Sequence, residues 1–317
     1  MKKTVALLLV LIMLLTSFVG CTQANPASDF EYQERDDGTI EITKYIGKST
    51  QVVIPKKIDG KKVTVLGEFS FADSSIVSVV IPDTVKYLYS YVFSGCTNLT
   101  NIEISDSLVS MAHGAFINCT SLTTIDISMK SMTYVDHEVF SGCTNLKNVK
   151  FGDNIEFIGN KAFYECTSLE ETILPNNLQE IGEYAFMNCS SIQKIRIPKT
   201  LEKWGLYPFY GAKTVTEIVF EDGLKQIGGT GTNVISYEGK MQTLRIPASV
   251  ELISSGAFMD CKELKEIYFE GAAPKIGDEK FNNFVTPEQD LKIYYNPSMP
   301  GWDTTPLREI YTLIPLS

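Results

Sequence analysis

AFYECTSLEETILPNNLQEIGEY, residues 162–184, runs without a gap into AFMNCSSIQKIRIPKTLEKWGLY, residues 185–207. Both stretches place Cys three residues after Phe, Leu or Ile six after it, and an apolar-Gly pair before the next aromatic residue. Working outward in both directions, the anchor aromatic recurs at Phe71, Phe93, Phe116, Phe140, Phe163, Phe186, Phe209, Phe258 and Phe281, with Ile235 standing in once. The intervals are 22, 23, 24, 23, 23, 23, 26, 23 and 23 residues. Nine nearly equal intervals mark an internal repeat, which overrides the two-domain expectation that 317 residues would otherwise raise.

Each unit is one short strand plus turns. In SIQKIRI (191–197) and NLTNIEI (98–104), apolar and polar residues alternate, so one face is buried and the other is not. A lone strand of this kind has no core, but stacked units gain a parallel ladder at ~4.8 Å spacing, which makes about ten coils a curved rod. Each anchor Phe is expected to fill the turn opposite its strand, and Gly159, Gly182, Gly205 and Gly228 to sit at positive φ. The fold class is therefore a solenoid, a single right-handed coil of about ten 23-residue repeats, mostly short parallel strands and turns.

The unit C-x-x-L-x-x-I-x-I-P-x-x-L-x-x-I-G-x-x-A-F resembles the BspA-like, treponemal-type leucine-rich repeat, placed by convention in the α/β class. GTIEITKYIGKSTQVVIPKKIDGKKVTVLGEFSF (38–71) is similar to that family's N-terminal coil, and IYYNPSMPGW (293–302) to its closing segment. The resemblance implies a repeat domain over 38–317, with a cap coil at 38–70 and a closing segment at 282–317. It also implies adhesion to host proteins or to other bacteria. Departures fall at Ala212, Ile235 and Glu238 and in the 26-residue interval containing GGTGT (228–232), where the register is expected to be locally disturbed.

The beginning of the chain carries an address. Lys2 and Lys3 precede an unbroken apolar run from Val5 to Leu15, too short for a membrane-spanning helix of ~20 residues. Phe18-Val19-Gly20-Cys21 resembles a bacterial lipobox, with Phe18 where that pattern usually has Leu. Residues 1–21 read as a lipoprotein signal whose Cys21 is lipidated, and acyl chains there would be the membrane anchor. The alternative is simple cleavage and secretion. TQANPASDFEYQERDD (22–37), small and polar, reads as a flexible tether.

With 28 Lys+Arg against 38 Asp+Glu, the net charge of −10 argues against a nucleic-acid partner, which requires a basic face. Cys96, Cys119, Cys143, Cys166, Cys189 and Cys261 share one column of the repeat and read as buried thiols rather than disulfides. His113 and His137 lie three residues before successive anchors, so they stack on adjacent turns, ~5 Å apart, without a metal-binding motif. Gly47-Lys48-Ser49 mimics the end of a P-loop without its first Gly, and no G-x-S-x-G elbow occurs. The expectation is no catalysis, no cofactor and no metal.

If the residues nine and eleven after Phe face the core, those at eight and ten face outward. The ten-column runs Glu103, Asp126, Lys150, Ile173, Arg196, Val219, Arg245, Tyr268, and the eight-column contains Lys194 and Glu217. These columns vary where the core columns do not. Lys150, Lys194, Arg196, Arg245 and Tyr268 are the candidate binding residues, because Arg and Tyr are enriched in binding hot spots. The resulting reading is a monomeric, exported, lipid-anchored surface protein. Its sheet binds an extracellular protein or glycan of host or neighbouring bacteria. The alternative is an envelope role on wall polymer or on other copies of the chain.

Overall fold

The computed structural model describes residues 23–229, 234, 239–259, 261–277 and 291–317. The expected coils are present. One strand of each coil joins a long face that runs through Gln51–Val53, Ser78–Ile81, Asn101–Ile104, Thr124–Ile127, Asn148–Phe151, Glu171–Ile173, Lys194–Ile197, Glu217–Phe220, Thr243–Ile246, Glu266–Phe269, Lys292–Tyr295 and Thr312–Pro315. Its strands pair in four successive parallel sheets that keep the repeat register, as in Ile195 beside Ile218 and Leu244 beside Ile267. A second row of two-residue strands follows one corner later, from Tyr87–Leu88 to Lys275–Ile276, and pairs in parallel within three separate sheets. The fold is a leucine-rich-repeat solenoid.

A third ladder runs through the anchor turns. From Phe71 to Phe186, the N–H groups two before, at, and two after each anchor Phe donate to the next coil, as Tyr184, Phe186 and Asn188 do to Leu206, Pro208 and Tyr210 at 2.7–2.8 Å. The two outer residues are left-handed in coil after coil: φ is +57° at Tyr184 and +63° at Asn188, +54° at Lys161 and +59° at Glu165. Adopting that conformation lets alternate N–H groups point the same way along the rod, so a turn pairs as though it were a strand.

This corrects the expectation for the glycines. Gly228 has φ +82°, but Gly159, Gly182 and Gly205 are absent from the positive-φ residues. They are small because the neighbouring coil's backbone touches them. A Cβ on Gly159 would lie 2.7 Å from the Asp136 carbonyl carbon, and one on Gly182 would lie 2.5 Å from the Asn160 nitrogen.

The core is a set of columns. Phe71 to Phe209 stack with ring centroids 4.9–5.6 Å apart, each at most 1% exposed. Cys96, Cys119, Cys143, Cys166, Cys189 and Cys261 are free and buried. Each of the first five donates its S–H to the carbonyl of the anchor Phe one coil earlier at 3.0–3.2 Å. Burial pushes the Cys143 thiol up to about 12.

The two ends are closed differently. Within the 22–37 stretch read as a flexible tether, the described residues 23–37 include a paired strand packed on the first coil, which corrects that reading. Phe30–Glu34 forms a strand antiparallel to Ile40–Tyr45, because Phe30, 3% exposed, packs against Tyr45 and Phe71. Asn25 closes the open edge of the long face, its N–H donating to Val53 O and its Oδ1 accepting from Val53 N–H, at 2.9 and 2.8 Å. At the other end Trp302 is 2% exposed, packs on Phe269 and donates from Nε1 to Gly271 O at 3.0 Å. The signal segment 1–21 with Cys21, together with Ile235, Glu238, Phe281 and most of GGTGT, lies outside the described residues. Among those described, no helix is long and apolar enough to cross a membrane.

Candidate binding face

The outward side of the long face carries the predicted residues. Its core-facing partners Ile195, Ile197, Leu244, Ile246 and Ile267 are at most 1% exposed. The intervening side chains therefore point away from the core, as strand alternation requires. The cations among them are tied to carboxylates of adjacent coils. Lys150 Nζ is 2.8 Å from Asp126, Lys194 Nζ is 3.0 Å from Glu217, and Arg196 pairs with Glu221 while donating to Asn176 Oδ1 at 3.0 Å. Being exposed, such pairs contribute little to stability, about 0–1 kcal/mol each, but they cancel the local charge.

Arg245 and Tyr268 are brought together. The guanidinium lies 5.0 Å from the Tyr268 ring centroid and 3.8 Å from Glu270. Tyr268 in turn stacks on Tyr294, centroids 4.5 Å apart and planes within 7°. Both hydroxyls converge on Glu266, at 3.1 and 3.4 Å. Desolvation, then the hydrogen bond to Glu266, holds the Tyr268 phenol above its ordinary range, so it remains a neutral donor. Ile173 stands apart as a bare apolar side chain, 60% exposed, in register with Arg196. The face thus offers a cation–π–π stack, one exposed aliphatic side chain and a row of neutralised charges.

Tyr294 and Glu266 were not among the predicted site residues. Tyr294 lies in the closing segment, thirteen residues after Phe281 instead of ten, so the repeat spacing does not assign it to the column and its pairing with Tyr268 does.

The histidines form no centre. Their rings are 6.5 Å apart and tilted by 54°. His137 Nδ1 accepts the Asn160 N–H at 2.8 Å, and His113 Nε2 lies 3.7 Å from Glu138. No group of three or more His, Cys, Asp or Glu among the described residues could hold a metal ion.

Residues 64–193, 133–233 and 230–293 match the BspA type leucine rich repeat region, in six copies. The chain belongs to the BspA-type leucine-rich-repeat family. No curated protein matches it in sequence. Solved structures similar to this BspA-type chain include a leucine rich cell surface protein from Faecalibacterium prausnitzii A2-165, 20% identical over 78% of this chain and 89% of that one, with a TM-score of 0.41. A leucine-rich repeat protein from Bacteroides ovatus is 18% identical over 94% and 100% of the two chains, with a TM-score of 0.38. The pneumococcal vaccine antigen PcpA is 16% identical over 91% and 96%, with a TM-score of 0.39.

Proposed function

We propose that this is an exported, lipid-anchored surface protein that binds an extracellular protein or glycan through the long-strand face, without catalysis. The observation that carries the reading is the contrast between the two sides of the same strands. Inward positions repeat one chemistry, whereas outward positions change from coil to coil and culminate in the stack of Arg245, Tyr268 and Tyr294. Packing alone does not ask for an arginine over two stacked tyrosines at the surface, and such groups are the ones that anchor interfaces. A rigid, hydrogen-bonded ladder holds them, so binding costs little ordering.

Export and anchoring rest on Lys2, Lys3, the apolar run and Cys21. Because residues 25–37 belong to the domain, acyl chains on Cys21 would hold the solenoid close to the lipid surface.

The test is binding of the chain from residue 22 onward to an array of matrix proteins, bacterial surface proteins, glycans and wall fragments, beside an Arg245→Ala/Tyr268→Ala variant whose melting temperature matches the parent's. A surface protein or glycan bound by the parent and lost by the variant is the expected result. Binding to wall fragments alone would favour an envelope role, and equal binding by the variant would remove the face. Anchoring is tested separately by metabolic labelling with an alkynyl fatty acid, which Cys21→Ser should abolish.

A further inference from the structure

Among the described residues the long-strand ladder is interrupted at three places: between Asn101–Ile104 and Thr124–Ile127, between Asn148–Phe151 and Glu171–Ile173, and between Glu217–Phe220 and Thr243–Ile246. The last of these coincides with the 26-residue interval. It opens a cavity of about 320 Å³ on the outward face, floored by Ile218 and Phe220 and rimmed by Glu217, Asp222, Arg245 and Glu270. The floor residues are each 6% exposed, while Leu244 and Ile246 across the gap are 1% exposed.

The rim is unbalanced. Three carboxylates face one guanidinium, which is already engaged by Glu270 and Tyr268. Glu217 is paired with Lys194, and Asp222 has no cationic partner among the described residues.

We propose that this gap is a socket for one basic side chain, lysine or arginine, of an extended protein segment lying across the face. This deepens the preceding proposal and rests on it. An apolar floor under a carboxylate rim fits a side chain with a methylene stem and a cationic head, which buries the first and keeps the second at the water boundary. A purely apolar anchor would cover Asp222 without pairing it, and an anionic group would meet its unneutralised charge.

A second cavity of about 360 Å³ shares Glu217 and continues past Gln193 to Asn148, the path an extended segment would take. The chain's net charge of −10 draws a basic partner toward the surface before contact.

The test selects a randomised displayed peptide library on the chain from residue 22 onward, at physiological salt. Asp222→Asn and the socket-filling, charge-preserving Thr243→Trp serve as parallel targets, each first shown to melt within a few degrees of the parent. The expected winners carry Lys or Arg flanked by apolar residues. An enriched arginine peptide should weaken by about tenfold or more when its arginine is replaced by citrulline, which keeps the shape and removes the charge. Asp222→Asn should weaken it severalfold, and Thr243→Trp should abolish binding.

Winners without basic residues, a citrulline peptide within twofold of its parent, or undiminished binding to Thr243→Trp would overturn the socket. Peptides that ignore Thr243→Trp but are lost with Ile173→Asp would overturn the socket and leave the face standing, as would a glycan hit on the array with no peptide enriched. No ligand from either the library or the array would remove both.

Discussion

Replacing Gly182 by alanine separates two explanations of the repeat's glycines. Had Gly182 been needed for positive φ, Ala would have cost the left-handed penalty of about 1–2 kcal/mol, and Asn would have been partly tolerated. The structure gives a different cause. A Cβ there would meet the Asn160 backbone nitrogen at 2.5 Å, the Asn160 Oδ1 at 2.6 Å and the Gly159 carbonyl carbon at 2.6 Å. Real Cβ contacts lie well above 3 Å, and two of these atoms are backbone held by the ladders. Relief therefore requires separating two coils. Overpacking costs about 1–3 kcal/mol when side chains can yield, so against backbone the expected loss is about 3 kcal/mol.

Glu165→Gly is the matched control. Its φ is +59°, and Gly95, Gly142 and Gly211 occupy the same column at +69° to +79°. Removing about 1–2 kcal/mol of strain while adding about 0.5–1 kcal/mol of glycine entropy should leave it neutral or slightly stabilised. Urea denaturation followed by circular dichroism, with slopes compared to confirm a single transition, measures both. Gly182→Ala within 1 kcal/mol of the parent, or Gly182→Asn milder than Gly182→Ala, would refute the close-approach argument.

Phe186→Ala removes a fully buried ring stacked at 4.9 Å on Phe163 and 5.3 Å on Phe209, and should cost about 3–5 kcal/mol by the same denaturation assay. In the chain from residue 22 onward, the six column thiols should be inert to a colorimetric disulfide reagent at pH 8 and all react in guanidinium, since each is buried and Cys143 is pushed up to about 12. The Asp83 carboxyl is held low by its hydrogen bond from Lys56, and that of Asp37 by its bonds from Thr39. Depressed folded-state values stabilise above the unfolded aspartate range, and that stability is lost as pH falls through the folded values. Lys56→Met should therefore raise the Asp83 midpoint in an NMR titration and reduce the acid sensitivity of unfolding.

The fold was readable because a solenoid writes its core as columns. A Phe that must stack on another Phe one coil away cannot drift, so Phe163, Cys166 and Leu169 recur at fixed spacing, and the period is visible without any structure. What the period hid was the geometry between coils. A glycine that avoids a neighbouring backbone and one that adopts positive φ look identical in sequence, so Gly182 was assigned the wrong reason. The left-handed residues carry no such mark, since Tyr184, Lys161 and Glu165 are not types associated with that conformation; the turn ladder that imposes it is a relation between coils. The tether failed for a related reason. Phe30 and Tyr32 in a polar stretch lack periodicity by themselves, and the strand they form exists because Ile40–Tyr45 offers an edge to pair with.

The binding face was legible as a surface and illegible as a site, and the difference is physical. Alternation along one strand is enough to say that Lys150, Arg196 and Arg245 point outward, because it depends on one residue's neighbours in sequence. Whether an outward cation is available depends on residues about 23 positions away, one coil up or down. Asp126 occupies Lys150, Glu221 occupies Arg196, and only the pairing across coils reveals it. The same dependence works in reverse for Asp222, which looks like any surface carboxylate in its own segment. It becomes distinctive because it has no cationic partner among the described residues and faces a cavity with an apolar floor. The lengthened interval was the sequence's trace of the break at this cavity, whereas the other two breaks in the long-strand ladder fall at the regular 23-residue spacing and leave none. In a repeat protein the places where the period breaks are where packing no longer dictates the side chains, so a break on the outward face marks the first place to look for a partner's anchor.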